Sequence, residues 1–354
     1  MLDNLLSEIE LHSLEEMCEK AKNVVLTCHV SPDGDAVGSM LAFYHFLNRK
    51  GKQVTAVAPN VFPDFLMWMP AADQIKVYEK HEQEIDPLIG QADLFVCLDF
   101  NSMSRAGALG ECISATNAPR IMIDHHPYPS DEFQLSLSFP KMSSTCELLY
   151  RIIVQMDKGL EKLTVDEAVS LYTGMMTDTG CFSYNSNRSE IYYIVGDLLK
   201  TGIDKDRIYR NVFYNYSVER YRLQGYMLYV KMETFPEYHA ALMTLTQEEQ
   251  KRFSHKKGDT EGFVNMPLQI KGYRLSVFLR ENADTGTIRV SLRSVDDFPC
   301  NQMAAEFFNG GGHLNASGGE LSCSMDEAVA IVRQALKKYA ALLKKSNEYD
   351  KKNN

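Results

Sequence analysis

The stretch Val24-Val25-Leu26-Thr27-Cys28-His29-Val30-Ser31-Pro32-Asp33-Gly34-Asp35 decides how the rest of the chain is read. It opens on an apolar run of strand type and passes into a loop carrying one histidine and two aspartates. Residues 36–48 follow, with apolar side chains at helical spacing. A strand that feeds a helix through a short loop is half of a βαβ unit, and functional side chains of such units gather beyond the carboxyl ends of the strands. Two readings of the loop stand at this point: Asp33 and Asp35 cap the helix, or they join His29 in binding a metal.

The alternation continues outward through apolar residues 54–58, a helical stretch, and the runs 94–98 and 121–123. Residues 1–202 are therefore expected to form an α/β domain with a parallel, doubly wound sheet. The run 94–98 ends in Asp99, and 121–123 ends in Asp124-His125-His126. A helical pattern over 165–176 leads into Thr177-Asp178-Thr179-Gly180. Four separate elements thus deliver His or Asp to one edge, where stability alone would favour apolar residues or satisfied caps. His29, Asp33, Asp35, Asp99, His125 and Asp178 are too many ligands for one tetrahedral zinc, and no cysteine takes part, so two metals sharing a carboxylate fit better. Mixed imidazole and carboxylate ligation suits Mn²⁺, with Mg²⁺ or Co²⁺ as alternatives. Two such ions ~3.5–4 Å apart polarise a phosphoryl group and activate water, so the expected reaction is hydrolysis of a phosphate ester.

At 354 residues the chain exceeds the ~250–300 residues at which single cores stop growing, and two domains with a cleft between them are expected. Residues 203–235 read as a Tyr-rich helical connector packed against both. Its stripe of Tyr209, Phe213, Tyr214, Tyr216, Tyr221, Tyr226 and Tyr229 reads first as interdomain core and second as a stacking surface for bases. Residues 236–346 read as a smaller mixed α/β domain, with strands over 240–245, 274–280 and 287–293. Its closing helix, 326–345, is capped by Ser324 with Glu327 three residues on. Residues 347–354 are expected to be a disordered tail. Ser144 reads as the cap of another helix, with a substrate contact as its second reading.

The eight cysteines form no CxxC pair, which suits reduced, buried thiols. No stretch approaches the ~20 apolar residues that span a bilayer, and the first ten residues lack a signal-peptide pattern. The expectation is a cytoplasmic protein with no membrane partner. A net charge of -10 argues against a broad basic face for long duplex nucleic acid, yet metal cations would reverse the potential locally for a small anionic substrate.

His29-x-x-x-Asp33-Gly34-Asp35, Asp99, Asp124-His125-His126 and Asp178 together resemble the motifs of the DHH phosphoesterase superfamily. The run Gly310-Gly311-Gly312-His313-Leu314-Asn315-Ala316-Ser317-Gly318-Gly319 and the pair Arg293-Ser294 resemble the DHHA1 substrate-binding domain, so the likeness covers nearly the whole chain. The resemblance implies one metal at His29, Asp33 and Asp99, and a second at Asp35, Asp99, His125 and Asp178, with Asp99 bridging. It also implies a catalytic set of Asp99, His126 facing the substrate phosphate, and Asp124. Asp124 either orients its neighbours or is a satisfied turn carboxylate. Arg293, Ser294, Gly311, Gly312 and His313 would bind a phosphate of the substrate, the glycines by admitting it close to backbone N–H groups.

Within that superfamily the chain is similar to the nanoRNase group of bifunctional oligoribonucleases and pAp phosphatases. That likeness implies a short RNA or nucleotide substrate and leaves a homodimer open. The second reading is a soluble phosphodiesterase for cyclic di-AMP or linear pApA, and the third a nucleotide sensor that has lost the chemistry. A RecJ-type exonuclease would be expected to carry further binding domains and a basic track.

Overall fold

Strands that read as unbroken apolar runs are expected to be covered on both faces. In the computed structural model, which describes residues 4–256, 258–283 and 285–344, contacts divide the chain into two units, Met1–Asn215 and Tyr216–Asn354. The first unit runs α1 (Glu8–Lys20), β1 (Asn23–Thr27), α2 (Gly34–Arg49), β2 (Gln53–Ala58), β3 (Lys76–Val77), α3 (Tyr78–Gly90), β4 (Leu94–Leu98), α4 (Gly107–Ser114), β5 (Arg120–Asp124), β6 (Leu135–Ser138), α5 (Thr145–Asp157), α6 (Val165–Asp178), α7 (Ser189–Lys200) and α8 (Lys205–Phe213). Its six strands pair in parallel in the order β3-β2-β1-β4-β5-β6. Winding reverses between β1 and β4, which opens a crevice beyond the carboxyl ends of those two strands. Val24, Leu26, Leu94, Val96 and Leu98 join the core shared with α2, α5 and α6. Val25, Phe95 and Cys97 turn the other way, to Ile85 and Ile89 of α3 and Leu109 and Ile113 of α4.

Two glycines let α2 and α6 approach closely. A Cβ on Gly38 would stand 2.7 Å from the Ser170 carbonyl oxygen, and one on Gly174 would stand 2.8 Å from Asp35 Oδ1 and 3.0 Å from Cys146 Cβ. Any larger residue would push the helices apart. The approach sets the first turn of α2, with Asp35, beside the last turn of α6, with Asp178.

The second unit runs α9 (Val218–Tyr226), a π turn (Met227–Lys231), β7 (Glu233–Phe235), β8 (Ala240–Leu245), α10 (Gln247–Arg252), a 3-10 segment (Phe263–Gln269), β9 (Leu275–Asn282), β10 (Thr287–Ser294), α11 (Cys300–Phe307), β11 (Gly311–His313), β12 (Ala316–Leu321), α12 (Met325–Lys338) and α13 (Ala340–Leu343). The sheet order is β11-β12-β10-β9-β8-β7, parallel at β8–β9 and antiparallel elsewhere. Leu275, Val277, Leu279, Ile288, Val290 and Leu292 pack with Met303 of α11 and Val332 of α12. On the opposite face Met243 and Phe278 are covered by Leu223, Met227 and Phe263.

Several expectations differ from the structure. The stretch 203–235 is not one helix: α8 and α9 fall in different units, because Ser217 starts a new helix by accepting the Arg220 N–H at 3.1 Å. Its tyrosines do not form a buried core, since Tyr209, Tyr214, Tyr221 and Tyr229 are exposed, from 39% to 93%. The helix expected to reach 345 breaks after Lys338 and resumes as α13. The expected tail, 347–354, lies outside the described residues. The eight cysteines are free thiols as expected, but Cys112, Cys181 and Cys323 are only partly buried. Among the described residues no helix is long and apolar enough to cross a membrane.

Candidate metal centre

Asp99 follows β4 with φ of 65°, a left-handed conformation that costs a non-glycine residue ~1–3 kcal/mol and persists only where its surroundings hold it. Its N–H donates to the Ile123 carbonyl at 3.1 Å, and its Oδ1 accepts from Thr145 Oγ1 at 2.9 Å. Around this buried carboxylate stand two rings: His29 Nε2 lies 3.4 Å from Asp99 Oδ2, and His125 Nε2 lies 3.7 Å from Asp99 Oδ1. His29 Nε2 is also 4.0 Å from Asp33 Oδ1, and His125 Nε2 is 3.6 Å from Asp178 Oδ2. The other nitrogen of each ring meets a backbone carbonyl, Nδ1 of His29 at 2.9 Å from Val30 O and Nδ1 of His125 at 3.3 Å from Met142 O. A ring that donates from Nδ1 presents Nε2 as a lone pair, the orientation found in metal-ligating histidines.

Three sets offer ligand atoms within 4.8 Å of one another: His29, Asp33 and Asp99; Asp35, His125 and Asp178; and Asp99, His125 and His126. All six expected ligands are thus brought together, with Asp99 beside both histidines. The capping reading of Asp33 is observed directly, since its Oδ1 accepts the Asp35 and Ala36 N–H groups at 3.0 Å at the start of α2, and its place beside His29 and Asp99 is compatible with the ligand reading as well. Asp124 is fully buried; its Oδ1 lies 2.7 Å from His126 Nδ1, and its Oδ2 meets no hydrogen-bond partner among the described residues. That contact is compatible with the orienting reading of Asp124, and the unpartnered Oδ2 is not that of a fully satisfied turn carboxylate.

The sequence reading missed the part played by the start of α5. Ser144 caps that helix by accepting from Glu147 N–H. Its first amides then meet a carboxylate: Thr145 N–H donates to Asp35 Oδ2 at 2.6 Å and Cys146 N–H to Asp35 Oδ1 at 2.9 Å. A helix N-terminus is a natural anion site, and here its occupant is a side chain 110 residues away in sequence. Glu147, also buried, accepts from Ser143 N–H and hydroxyl at 2.8 Å and from Arg151 at 3.0 Å, and pairs with Arg188. The capping spacing Ser144-x-x-Glu147 was the available signal, but nothing local points it at Asp35.

Electrostatics set these carboxylates against each other. Burial, then the charge of Asp99, pushes Asp35 up to about 7. Burial, then Asp35, pushes Asp178 well above the usual carboxylate range. Burial opposes charge on both rings, but the Asp99 hydrogen bond and charge, with Asp33, lift His29 to about 9, and Asp99, Asp178 and Asp35 lift His125 to about 9. Burial likewise opposes charge on Asp99, yet His29, His125 and His126 hold it below the usual range. Burial and mutual repulsion among the carboxylates therefore favour protons on the cluster. Its oxygen and imidazole donors suit divalent cations that would displace those protons.

In the second unit, Arg293 of β10 stands opposite Ala316 of β12, which stands opposite His313 of β11, so the arginine and the histidine share one rung. Ser294 is 6% exposed, and its hydroxyl donates to Phe298 O at 2.8 Å and accepts from Asn315 Nδ2 at 2.9 Å, closing the turn after β10. The run expected as a glycine-rich turn is the hairpin β11–β12. Gly312, at φ of 139°, has no room for a Cβ, which would lie 2.6 Å from Ala316 O, and a Cβ on Gly310 would collide with Gly318 O. These two glycines are required by the chain's own hairpin. Gly311 is different: a Cβ there would meet nothing within 4 Å, so its bare backbone is open to a ligand.

Comparison with known proteins agrees with this geometry. Residues 23–175 match the DHH family N-terminal domain and residues 240–338 the DHHA1 domain. A solved exopolyphosphatase-related protein from Bacteroides fragilis is 49% identical, with a TM-score of 0.94 over 97% of this chain and all of that one. The bifunctional oligoribonuclease and PAP phosphatase NrnA of Thermus thermophilus is 26% identical over 89% of each chain; that of Bacillus subtilis is 25% identical over 87% of this chain and 92% of its own. Manganese-bound RecJ of Thermus thermophilus, 12% identical, shares the fold at a TM-score of 0.55 over 96% of this chain and 56% of that one. The chain belongs to the DHH–DHHA1 family and is a phosphoesterase.

Proposed function

We propose that this phosphoesterase hydrolyses short oligoribonucleotides and 3′-phosphoadenosine 5′-phosphate with two divalent cations, Mn²⁺ first. The observation that carries the proposal is the pair of ligand sets, His29–Asp33–Asp99 and Asp35–His125–Asp178, with His125 also 3.7 Å from Asp99. Asp99 would serve both ions, one oxygen toward each histidine. When bound, such ions supply charge neutralisation at the phosphoryl group and an activated water. Asp124, through its 2.7 Å contact with His126 Nδ1, fixes that ring and leaves Nε2 to meet a substrate phosphate. Arg293 and His313, on one rung of the second unit, would hold a phosphate by charge-assisted hydrogen bonds, and Gly311 would add its open backbone. Ser294, buried in its turn, would support Arg293 from behind.

The named activity of the Thermus and Bacillus relatives over nearly nine-tenths of the chain supports the substrate class. A second reading has its own support: the cyclic-di-AMP phosphodiesterase GdpP of Bacillus subtilis is 23% identical over 93% of this chain, though over 49% of its own length. The test is product release from pAp, RNA dimers to pentamers, linear pApA, cyclic di-AMP and long polyphosphate, with Mn²⁺ and after chelation. Metal-dependent cleavage of dimers or pAp is expected. Preference for cyclic di-AMP or polyphosphate would transfer the assignment, and silence throughout would leave a nucleotide sensor.

A further inference from the structure

On the sheet of the second unit, side chains directly opposite one another share a face. The rung of Arg293 and His313 also holds Ser276; two residues along lies the rung Phe278, Ser291, Gly318 and Gly311; two further along lie Arg280 and Arg289, directly opposite each other on β9 and β10. Two like charges facing across adjacent strands destabilise a sheet. Arg280 is half-buried, and among the described residues neither guanidinium has a hydrogen-bond or ion-pair partner. Glu320, across from Arg289 on β12, turns instead to the hydroxyls of Thr285 and Thr287. A third polar group is left unsatisfied. His255 Nε2 is enclosed without a hydrogen-bond partner, and burial, then the charge of Arg280, holds that ring below its ordinary value against the opposing charge of Asp259. Burial, then Arg289, holds Arg280 down in the same way.

A half-buried cation such as Arg280, facing another arginine, is costly unless an anion completes it. The strip joining the two rungs is low: Ser291, Gly318 and Gly311 are small and at least partly exposed, while Phe278 beside them is covered by Phe263. Four residues of strand separate Arg289 from Arg293, about 13 Å. Even one strand of a stacked helix rises only ~3.4 Å per phosphate along its axis, so about 13 Å spans more than one nucleotide step. A dinucleotide with its phosphate at one rung does not reach the other.

We infer that Arg280 and Arg289 form a second phosphate site, which holds a backbone phosphate of an RNA longer than a dinucleotide whose end lies at Arg293 and His313. The inference rests on the oligoribonuclease reading above and adds to it a determinant of chain length.

The test is equilibrium binding of fluorescent RNA dinucleotide and pentanucleotide, followed by anisotropy with chelator present so that no RNA is cut, across a salt series. Arg289→Gln, at an exposed position, is the first variant and Arg280→Gln/Arg289→Gln the second; circular dichroism checks the fold of each. The pentanucleotide Kd should rise about tenfold, the effect of one charged hydrogen bond. The slope of log K against log salt should fall by about 0.7, one phosphate of a single strand. Dinucleotide binding should stay as in wild type. Unchanged pentanucleotide binding in Arg289→Gln, or equal losses for both lengths, overturns the second site and leaves the oligoribonuclease reading standing. Wild-type protein that binds neither RNA overturns that reading and this site with it.

Discussion

Thr145→Val isolates the contact that the sequence did not reveal. The substitution keeps the side-chain volume and the backbone N–H to Asp35, and removes only the hydroxyl that donates to Asp99 Oδ1 at 2.9 Å. Thr145 and Asp99 are both buried, 0% and 2% exposed, so water cannot replace the lost donor. A hydrogen bond to a charged group contributes ~1.5–3 kcal/mol, and at ~1.4 kcal/mol per factor of ten this corresponds to a roughly 10- to 100-fold loss. Loss of a group that orients a metal ligand has effects of the same size. The expected result is a divalent-metal Kd raised by that factor in isothermal titration, with activity recovered at saturating metal. Thr145→Ser, which keeps the hydroxyl, should restore most of the affinity. Wild-type metal affinity in Thr145→Val, or a Thr145→Ser variant as impaired as Thr145→Val, would refute the reasoning.

Gly174→Ala adds a Cβ 2.8 Å from Asp35 Oδ1 and close to Cys146 Sγ; overpacking costs ~1–3 kcal/mol, and at ~2–4 °C per kcal/mol the Tm should fall by several degrees in calorimetry, with metal affinity reduced as Asp35 is displaced. Asp99→Asn should retain the fold by circular dichroism and lose more activity than the ~10–100-fold typical of a merely orienting residue; equal turnover by variant and wild type sinks the two-metal proposal. His313→Ala should mainly raise the Michaelis constant, kcat being the quantity that would expose an unforeseen role in the chemistry. For pH, His29 and His125, raised to about 9, and Asp35, raised to about 7, all lend the metal-free protein stability that is present at low pH and lost as pH rises through those values. Asp99, held low, has the opposite sign and matters only under acid conditions. The Tm of chelated protein should therefore fall from pH 6 to pH 9, while metal binding strengthens and releases protons over the same interval, as titration in buffers of different ionisation heat reports.

The parts of the site legible in the sequence were those whose signal is local. An apolar run ending in Asp99 or in Asp124-His125-His126 is a strand with ligands at its carboxyl edge, and β1, β4 and β5 carry that pattern without interruption. The hairpin β11–β12 was not legible as strands, because a run of glycines has no period of two to detect. Ser217 was hidden inside a stretch of helical spacing, where one capping serine divides what periodicity joins. Thr145 and Asp35 are 110 residues apart, so their pairing is a product of the close approach of α2, α5 and α6 and has no local trace. The pair Arg280 and Arg289 depends on β-register, which the sequence leaves open until the turn between the strands is fixed.

The helix ends add to the charge imbalance that a bound cation would relieve. Asp33 and Asp35 lie at the N-terminus of α2, and the amides of α5 also point at Asp35, so two helix dipoles favour negative charge there. Asp178 is the last residue of α6, at the negative end of its dipole, where a carboxylate is disfavoured by ~0.3–1 kcal/mol before Asp35 is counted. Stability would place a basic residue or a glycine at that position. Among the described residues no lysine or arginine is paired with Asp178; its neighbour is His125 at 3.6 Å, which Asp99 also claims at 3.7 Å. His29 and His125 both serve Asp99, so His125 is shared, and burial, then the charge of Asp35, pushes Asp178 well above the usual carboxylate range. A divalent ion held by these carboxylates would supply the missing charge, and Asp178→Asn should for that reason stabilise the metal-free protein while weakening its affinity for the metal. Thermal melts with and without Mn²⁺ separate the two effects: a variant destabilised in chelator would mean that Asp178 is held by contacts other than those of the cluster.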